Sequence, residues 1–369
     1  MLYLKQINIK QKRVRFPIFL PDATRAVVRS LDSVDLQKVG TEGLVVNTYH
    51  LMQNPGLSVL KDYKGIGNYM GFSGLITSDS GGFQIMSLLH QKKMQGEITE
   101  KGIEFLWLRK GKKEKILLTP EKCIQAQFTI GADIFVCLDY FTNPDGTEIE
   151  LERSVKLTID WAKRCKVQYL KEIDKRGIKK SRRPLLMGVI QGGEHKNLRA
   201  KCARALVDLD FDIYGYGGWP MDSKGKFNRD LFQYNASLTP DTKPRFALGV
   251  GMPEDIILGF QLGYHFFDCV LPTRDARHYR LYTFKKKPNK ALLLSGQKFY
   301  DFIYINKDRY MRDQKPISQY CSCYTCQHYS KAYLNQLFKI KESLAWRLAT
   351  IHNLYFYNSL IQQLREYTN

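Results

Sequence analysis

The stretch FFDCVLPTR, residues 266–274, is the strongest indication of how this chain folds. It places an acid, Asp268, directly after an apolar run and before a proline and Arg274. A carboxylate in this position marks the carboxyl end of a buried parallel strand, and that end carries the chemistry in barrels and open α/β sheets. Taken alone, Asp268 is interpreted equally well as a turn cap or as the partner of Arg274.

The same short apolar run, usually ending in glycine or a polar residue, recurs along the chain. Eight runs lie at residues 16–20, 43–47, 74–79, 134–139, 185–191, 211–216, 246–251 and 266–271. Continuous apolar runs predict strands buried on both faces, as parallel strands are. Amphipathic segments of helical length lie between them, at residues 23–39, 120–130, 148–173, 197–209 and 253–262.

Eight strand-then-helix units predict an α/β fold of the (β/α)8 TIM-barrel type. A doubly wound open sheet is the alternative, but it usually carries a glycine-rich phosphate loop after its first strand, and the sequence has none. Two segments interrupt the repeat. Residues 92–118 predict a β-hairpin with a charged turn at 110–113, inserted after the third strand. Residues 285–330 form the second insertion and precede two helical stretches.

The second insertion contains three cysteines within six residues, Cys321, Cys323 and Cys326. Thiols this close together predict a zinc knuckle with Cys₃His ligation. The fourth ligand is His328 or His352, and we favour His352 because it shares an apolar helix face with two leucines of the preceding turns. Four protein ligands make the zinc structural, with one ion per chain. The other five cysteines are scattered and are interpreted as reduced core thiols.

These segments predict two domains. A barrel occupies residues 1–284 with its hairpin insertion around 92–118, and a zinc-binding subdomain with C-terminal helices occupies 285–369, the last helix packing back on the barrel. A chain of 369 residues with 44% hydrophobic residues has enough core for this arrangement.

The net charge of +21 and the pI near 9.5 favour a polyanionic partner. A lysine-favouring genome or simple solubility would also produce such a charge. Location favours the first interpretation, since cations follow closely after Asp268, at Arg274, Arg277, Lys285, Lys286 and Lys287. The sequence has no apolar run of about 18 residues and no signal-peptide pattern at its start, so we expect a cytoplasmic protein without membrane spans.

A barrel would bring the polar residues at its strand ends to one mouth. They are Asp79, Asp139, Gln191, the pair Gly217 and Gly218, and Asp268. Two carboxylates, Asp79 and Asp268, can divide the work of breaking a bond at an anomeric carbon. An acid and an amide can read the hydrogen-bonding edge of a planar heterocycle, and paired glycines let the backbone approach it. Phe83 would stack on a base or lie in the core.

Several longer motifs point to a known family. They are NTYHL at 47–51, SDSGGFQ at 78–84, VIQGG at 189–193, GVG at 249–251, FDCVLPTR at 267–274 and the set Cys321, Cys323, Cys326 and His352. Over nearly its whole length the chain resembles the tRNA-guanine transglycosylases.

The resemblance implies a pentosyltransferase, a barrel glycosyltransferase with a zinc subdomain, usually a homodimer. Such an enzyme exchanges the wobble guanine of certain tRNA anticodons for a 7-deazaguanine, the prequeuosine base or queuine. By motif, Asp268 is the nucleophile that bonds to the ribose and Asp79 is the general acid/base. Phe83 would stack on the base, with Asp139, Gln191 and the glycine pair at 217–218 lining its pocket.

Two segments depart from the family pattern: Tyr140-Phe141, and residues 219–221 with Trp219, Pro220 and Met221. Both sites lie beside the substituent of the incoming base in the family, so the identity of that base stays open. Two other functions also remain as alternatives. One is a non-catalytic tRNA-binding subunit, and the other is the same chemistry on another nucleic acid such as DNA.

Overall fold

The computed structural model describes residues 4–109, 112–142, 146–221 and 225–366. The predicted hairpin tip at 110–111 and the outermost residues of both predicted domains, 1–3 and 367–369, lie outside these ranges. The strands of the described residues are β1 (Gln6–Ile9), β2 (Lys12–Arg15), β3 (Ile18–Pro21), β4 (Gly43–Asn47), β5 (Leu75–Asp79), β6 (Gly96–Thr99), β7 (Gly102–Arg109), β8 (Lys112–Leu118), β9 (Ile134–Val136), β10 (Leu185–Ile190), β11 (Ile213–Tyr216), β12 (Arg245–Ala247), β13 (Phe266–Cys269), β14 (Arg280–Phe284) and β15 (Tyr300–Tyr304).

The helices surround these strands. They are α1 (Ser33–Lys38), α2 (Thr48–Gln53), α3 (Leu57–Asp62), α4 (Ile66–Met70), α5 (Gly82–His90), α6 (Pro120–Ile130), α7 (Glu148–Lys175), α8 (Lys196–Asp208), α9 (Arg229–Ser237), α10 (Pro253–Gln261), α11 (Leu271–Arg277), α12 (Lys290–Leu294), α13 (Tyr324–His328), α14 (Lys331–Lys339) and α15 (Ser343–Arg365). No helix of the described residues is long and apolar enough to cross a membrane.

Eight parallel strands form a single sheet in the order β3, β13, β12, β11, β10, β9, β5, β4. A bridge between Asp22 and Val45, with the Ala23 N–H donating to the Val45 carbonyl at 2.7 Å, brings the two end strands together. The predicted α/β barrel is therefore confirmed, and all eight predicted apolar runs contribute a strand.

The amino-terminal end of the barrel is plugged. The antiparallel hairpin of β1 and β2 packs Ile9 and Val14 against branched and aromatic side chains inside the barrel, such as Met187 and Phe266. A barrel core filled in this way leaves room for a ligand at the carboxyl ends of the strands.

Two predicted elements differ in extent. The helix expected over residues 23–39 is confined to α1, because Ala26 and Ser30 adopt positive φ and the Asp32 side chain caps the helix by accepting from Asp35 N at 2.7 Å. The inserted hairpin is a three-stranded antiparallel sheet, β6 to β8.

The carboxyl-terminal part of the chain is tied to the barrel by α15. Its Arg365 guanidinium donates to both Glu42 carboxylate oxygens and to the Pro17 carbonyl, and Asn358 donates to the Val39 carbonyl at 2.7 Å. The division predicted at residue 284 stays a prediction: β14 ends there and pairs with β15 beyond it.

Candidate active site and metal centre

The polar residues predicted at the strand ends lie around the carboxyl-terminal mouth of the barrel. Asp79 is the last residue of β5, Asp268 lies in β13, and Gln191 directly follows β10. Asp139 and the glycine pair 217–218 follow β9 and β11. Parallel strands with one orientation deliver all of these groups to the same end.

Asp79 is held by the turn that follows it. Its Oδ2 accepts from Asn47 Nδ2 at 2.5 Å and from the Gly81 N–H at 3.3 Å. Gly81 sits at φ +84°, and an added Cβ would lie 2.6 Å from the Tyr49 Cβ, so the turn requires glycine there. Burial raises the pKa of Asp79 to about 6, against the lowering effect of these hydrogen bonds.

Asp268 has one anchored oxygen. Its Oδ1 accepts from the Gly249 N–H at 2.9 Å, while Oδ2 has no protein donor among the residues that the structure describes. Burial raises the pKa of Asp268 to about 7, and the charges of Asp79 and Asp22 raise it further. The free oxygen is suited to attack on an electrophile in the mouth.

Asp139 and Gln191 form a hydrogen-bonded pair beside these carboxylates. Gln191 Nε2 donates to Asp139 Oδ2 at 2.7 Å, and Gln191 is almost wholly buried. Burial raises the pKa of Asp139 to about 7, with an additional contribution from the charge of Asp79. Since Asp79 acts on both Asp139 and Asp268, the three carboxylates share one electrostatic site.

The glycine pair lies against this hydrogen-bonded pair. A Cβ on Gly217 would lie 2.6 Å from Gln191 Nε2, and Gly218 adopts φ +96°. Side chains are therefore excluded at the first position and strained at the second, which leaves bare backbone facing a ligand.

Phe83 is 41% exposed at the start of α5, and its ring meets Phe141 edge to face at 4.8 Å. Of the two residues that depart from the family pattern here, Phe141 thus belongs to the mouth. Tyr140 does not, because it is buried and its ring stacks on Trp161 at 6.4 Å. Trp219, in the second departing segment, is 55% exposed.

Two further residues at the mouth were given no role of their own from the sequence. Asn47 joins Asp79 to Gln84, donating to Gln84 Oε1 at 2.6 Å, and Asp22 adds a further carboxylate whose charge acts on Asp79 and Asp268. Asp22 follows an apolar run and Pro21, so the strand-end rule that identified Asp268 could have found it.

The predicted RNA-binding cations lie on two segments. Arg274 and Arg277 belong to α11, directly after Asp268, and Arg277 donates to the Thr273 carbonyl at 2.9 Å. Burial lowers the pKa of Arg277, and the neighbouring cations Arg29 and Arg274 contribute. Residues 285–287 are exposed after β14, where Lys285 lies 3.8 Å from Asp301.

The three clustered cysteines meet His352, with all four donor atoms within 4.8 Å of one another. His352 Nε2 lies 2.6 Å from the Tyr282 carbonyl, so it carries the proton and leaves the Nδ1 lone pair facing the sulfurs at 3.3 to 3.6 Å. His328 is exposed and is not in this group. Three thiolates, one imidazole and a fixed tautomer fit a tetrahedral metal ion.

Comparison with known proteins gives a consistent result. The profile of the family described as queuine tRNA-ribosyltransferase matches residues 4–368. A queuine tRNA-ribosyltransferase of Caldanaerobacter subterraneus is 37% identical over 353 residues, which cover 96% of this chain and 86% of the relative. The proteins of that name from Staphylococcus aureus and Thiobacillus denitrificans are 35% and 34% identical, covering 95% and 98% of this chain and 84% and 90% of their own lengths. The chain therefore belongs to the queuine tRNA-ribosyltransferase family.

Proposed function

We propose that this glycosyltransferase exchanges a guanine of the tRNA anticodon for a 7-deazaguanine base through a covalent bond between Asp268 and the ribose. The observation that supports it most is that Asp79, Asp139 and Asp268 all lie at the carboxyl ends of barrel strands, around one mouth. A basic chain of net charge +21 is suited to an RNA substrate.

In the first half of the reaction, the free Oδ2 of Asp268 attacks C1′ of the target nucleotide. A C1′–O bond forms, the C1′–N9 bond breaks, and its electron pair leaves on guanine N9. Asp79 supplies the proton that the departing base takes up. Its pKa, raised to about 6 by burial, keeps a protonated fraction available near neutral pH.

In the second half, the incoming base takes guanine's place and gives its N9 proton to Asp79. Its N9 attacks C1′, the C1′–O bond to Asp268 breaks, and the carboxylate recovers its charge. Two inversions at C1′ restore the original configuration.

Base recognition is assigned to three side chains of the mouth, those of Asp139, Gln191 and Phe83. Asp139 and Gln191, joined at 2.7 Å, present acceptor and donor atoms to the base edge, and Phe83 supplies an aromatic face. The edge-to-face contact with Phe141 fixes the orientation of the Phe83 ring. Competition among guanine, the prequeuosine base and queuine would identify the base that this pocket takes.

Exchange of radiolabelled guanine into tRNA tests the proposal. Asp268→Ala should abolish exchange and also abolish the covalent enzyme–tRNA species on a denaturing gel. The same substitution at Asp133, a buried acid at the amino-terminal end of the barrel, is the matched control and should retain exchange. Retained exchange in folded Asp268→Ala would refute the nucleophile assignment, and exchange into duplex DNA but not tRNA would refute the substrate.

We propose further that the Cys₃His cluster holds one structural zinc ion per chain. Cys321, Cys323, Cys326 and His352 would supply four ligands and leave no open position, so the ion would stabilise the fold without entering the reaction. Elemental analysis of the purified protein should give about one zinc per chain. A value near zero in folded protein would contradict this assignment.

A cytoplasmic homodimer completes the proposal, as the resemblance implies. An exposed aromatic cluster next to the metal site supports self-association: Tyr324 and Tyr333 are exposed, and Tyr333 stacks on Tyr329 at 5.4 Å. Light scattering should give twice the chain mass, and Tyr333→Asp should reduce it to that of one chain. Cell fractionation would test the location.

A further inference from the structure

Arg199, in the first turns of α8, is a wholly buried arginine beside the base pocket. Its side chain is 0% exposed, and the described residues place no carboxylate against it. A buried guanidinium without a countercharge is costly, so its hydrogen bonds must compensate for the lost water.

Those hydrogen bonds join the two loops that form the base pocket. Nε donates to the Gly193 carbonyl at 2.7 Å, Nη1 to the Ile190 carbonyl at 3.2 Å and to Asn235 Oδ1 at 3.1 Å, and Nη2 to the Gly217 carbonyl at 2.9 Å. The guanidinium also lies 4.2 Å from the centre of the Tyr216 ring. One side chain therefore links the loop after β10, which carries Gln191, to the loop after β11.

The bond to Gly217 fixes the orientation of the next amide. The peptide between Gly217 and Gly218 is trans, so its carbonyl and its N–H point in opposite directions. With the carbonyl held by Arg199, the Gly218 N–H is directed away from that guanidinium. Within the described part of the chain, that N–H has no hydrogen-bond acceptor.

We propose that Arg199 is a positioning residue: it holds the Gly217–Gly218 peptide so that the Gly218 N–H donates to the carbonyl oxygen of the bound base. Guanine and 7-deazaguanines carry this oxygen at position 6. The inference rests on the proposed base exchange and extends it to a residue that does not touch substrate.

Arginine is suited to this role because its donors form a rigid planar fork. Four acceptors, on the two loops, at the end of β10 and on α9, are reached at once, and the fork fixes their mutual geometry. A lysine has the same charge but a single point of donation, so it cannot hold both loops in register.

The test uses the full-length enzyme with Arg199→Lys and Arg199→Gln. We expect the KM for guanine in tRNA exchange to rise at least tenfold, while kcat at saturating guanine changes less than threefold. We also expect the wild-type preference for guanine over 6-thioguanine, which retains N1–H but has a poorer acceptor, to shrink at least fivefold. A loss of stability alone would change neither the KM for guanine nor the preference for guanine over 6-thioguanine.

Arg245→Lys is the matched control. Arg245 is also a buried arginine, but it lies at the start of β12, where it donates to Thr239 and to the Gly263 carbonyl. It should lose a similar amount of thermal stability and keep the wild-type KM and base preference. If both Arg199 variants fail to fold, Asn235→Ala, which removes one acceptor of the guanidinium, should raise the KM two- to fivefold.

The outcomes separate the two proposals. No guanine exchange by the wild-type enzyme would refute the proposed function itself. Exchange by the wild type, with unchanged KM and base preference in the folded Arg199 variants or in Asn235→Ala, would overturn the role of Arg199 alone.

Discussion

The acids at the barrel mouth illustrate how position, and not residue type, determines chemistry. Burial raises the pKa values of Asp79, Asp139 and Asp268 to about 6, 7 and 7. Asp133 is more fully buried than these three but lies at the other end of the barrel, where Lys10 and Lys12 reach it at 3.0 and 2.7 Å. Unpaired buried carboxylates are costly to stability and are typical of active sites.

The pair Asp79 and Asp268 predicts the pH dependence of the exchange. The active state has one proton on the pair, with Asp79 protonated and Asp268 ionised. Because Asp268 has the higher pKa, this is the less populated of the two one-proton forms, but both forms vary with pH in the same way. Activity should therefore fall below about pH 6, where both acids hold protons, and above about pH 7, where both are ionised. Initial rates of guanine exchange across pH 5 to 9 would measure this. A flat profile across that range would contradict the pairing.

Asp139 predicts a trade between stability and function. Its folded pKa is raised from 3.8 to about 7, so its contribution to stability is fully present below pH 3.8 and is lost as pH rises to about 7. Asp139→Asn removes that loss and keeps an acceptor for Gln191. We expect Asp139→Asn to have a higher free energy of unfolding than the wild type, and this difference to be about 1–2 kcal/mol larger at pH 8 than at pH 5. The difference is no larger because the side chain is only half-buried and solvent screens its charge.

Denaturant unfolding at the two pH values would measure the gain. Asp210→Asn is the control, since that acid is exposed and its pKa is lowered by the hydrogen bond from Lys243. It should show no larger gain at pH 8. The exchange activity of Asp139→Asn should fall as its stability rises.

At the scale of elements, α15 connects the metal cluster to the barrel. Its middle carries His352, which is bound to the Tyr282 carbonyl of β14, and its end carries Arg365, which is bound to Glu42. Loss of the metal would release His352 and the segment of the three cysteines together, so the effect should extend to the barrel's closing strands.

We therefore predict that Cys323→Ala lowers the melting temperature by about 10 °C or more, since a structural zinc site contributes folding energy directly. Cys165→Ala, which removes a buried thiol from α7, should cost only a few degrees. Scanning calorimetry with elemental analysis would measure both. Equal losses in the two variants would show that the cluster contributes packing alone.

At the scale of the whole molecule, exposed positive charge lies on more than one part of the surface. Residues 285–287 follow β14, in the part of the sequence after Asp268, while Lys179, Lys180 and Arg182 lie between α7 and β10, at the amino-terminal end of the barrel. Net charge alone thus gives no docking direction for RNA. The position of Arg274 and Arg277 directly after Asp268 favours the segment that continues to residues 285–287.

Replacing residues 285–287 by glutamine should weaken tRNA binding and reduce the slope of log affinity against log salt by roughly 1–3. The same neutralisation of Lys179, Lys180 and Arg182 changes the net charge equally and should leave the slope near its wild-type value. Filter binding at several salt concentrations would compare them. A greater reduction of the slope in the second variant would place the RNA at the amino-terminal end of the barrel.

The barrel and its mouth were predictable from the sequence, because buried parallel strands are continuous apolar runs and their polar successors must meet at one end. The cysteine spacing likewise indicated the metal group, and the apolar helix face around His352 indicated the fourth ligand. A local sequence pattern is sufficient to predict a feature that repeats along the chain, as the strands do, or that lies within a few residues, as the three cysteines do.

Other features depended on contacts between distant segments, and no local pattern encodes those. Tyr140 and Phe141 are neighbours in sequence, yet one packs on Trp161 and the other contacts Phe83. The backbone of Tyr140 is held against α7 by hydrogen bonds with Ser154 and Thr158. The raised carboxylate pKa values required the depth of the mouth. No local pattern distinguishes Arg199 from the other cations of its helix, and only the packing of α8 against two loops makes it a buried link between them.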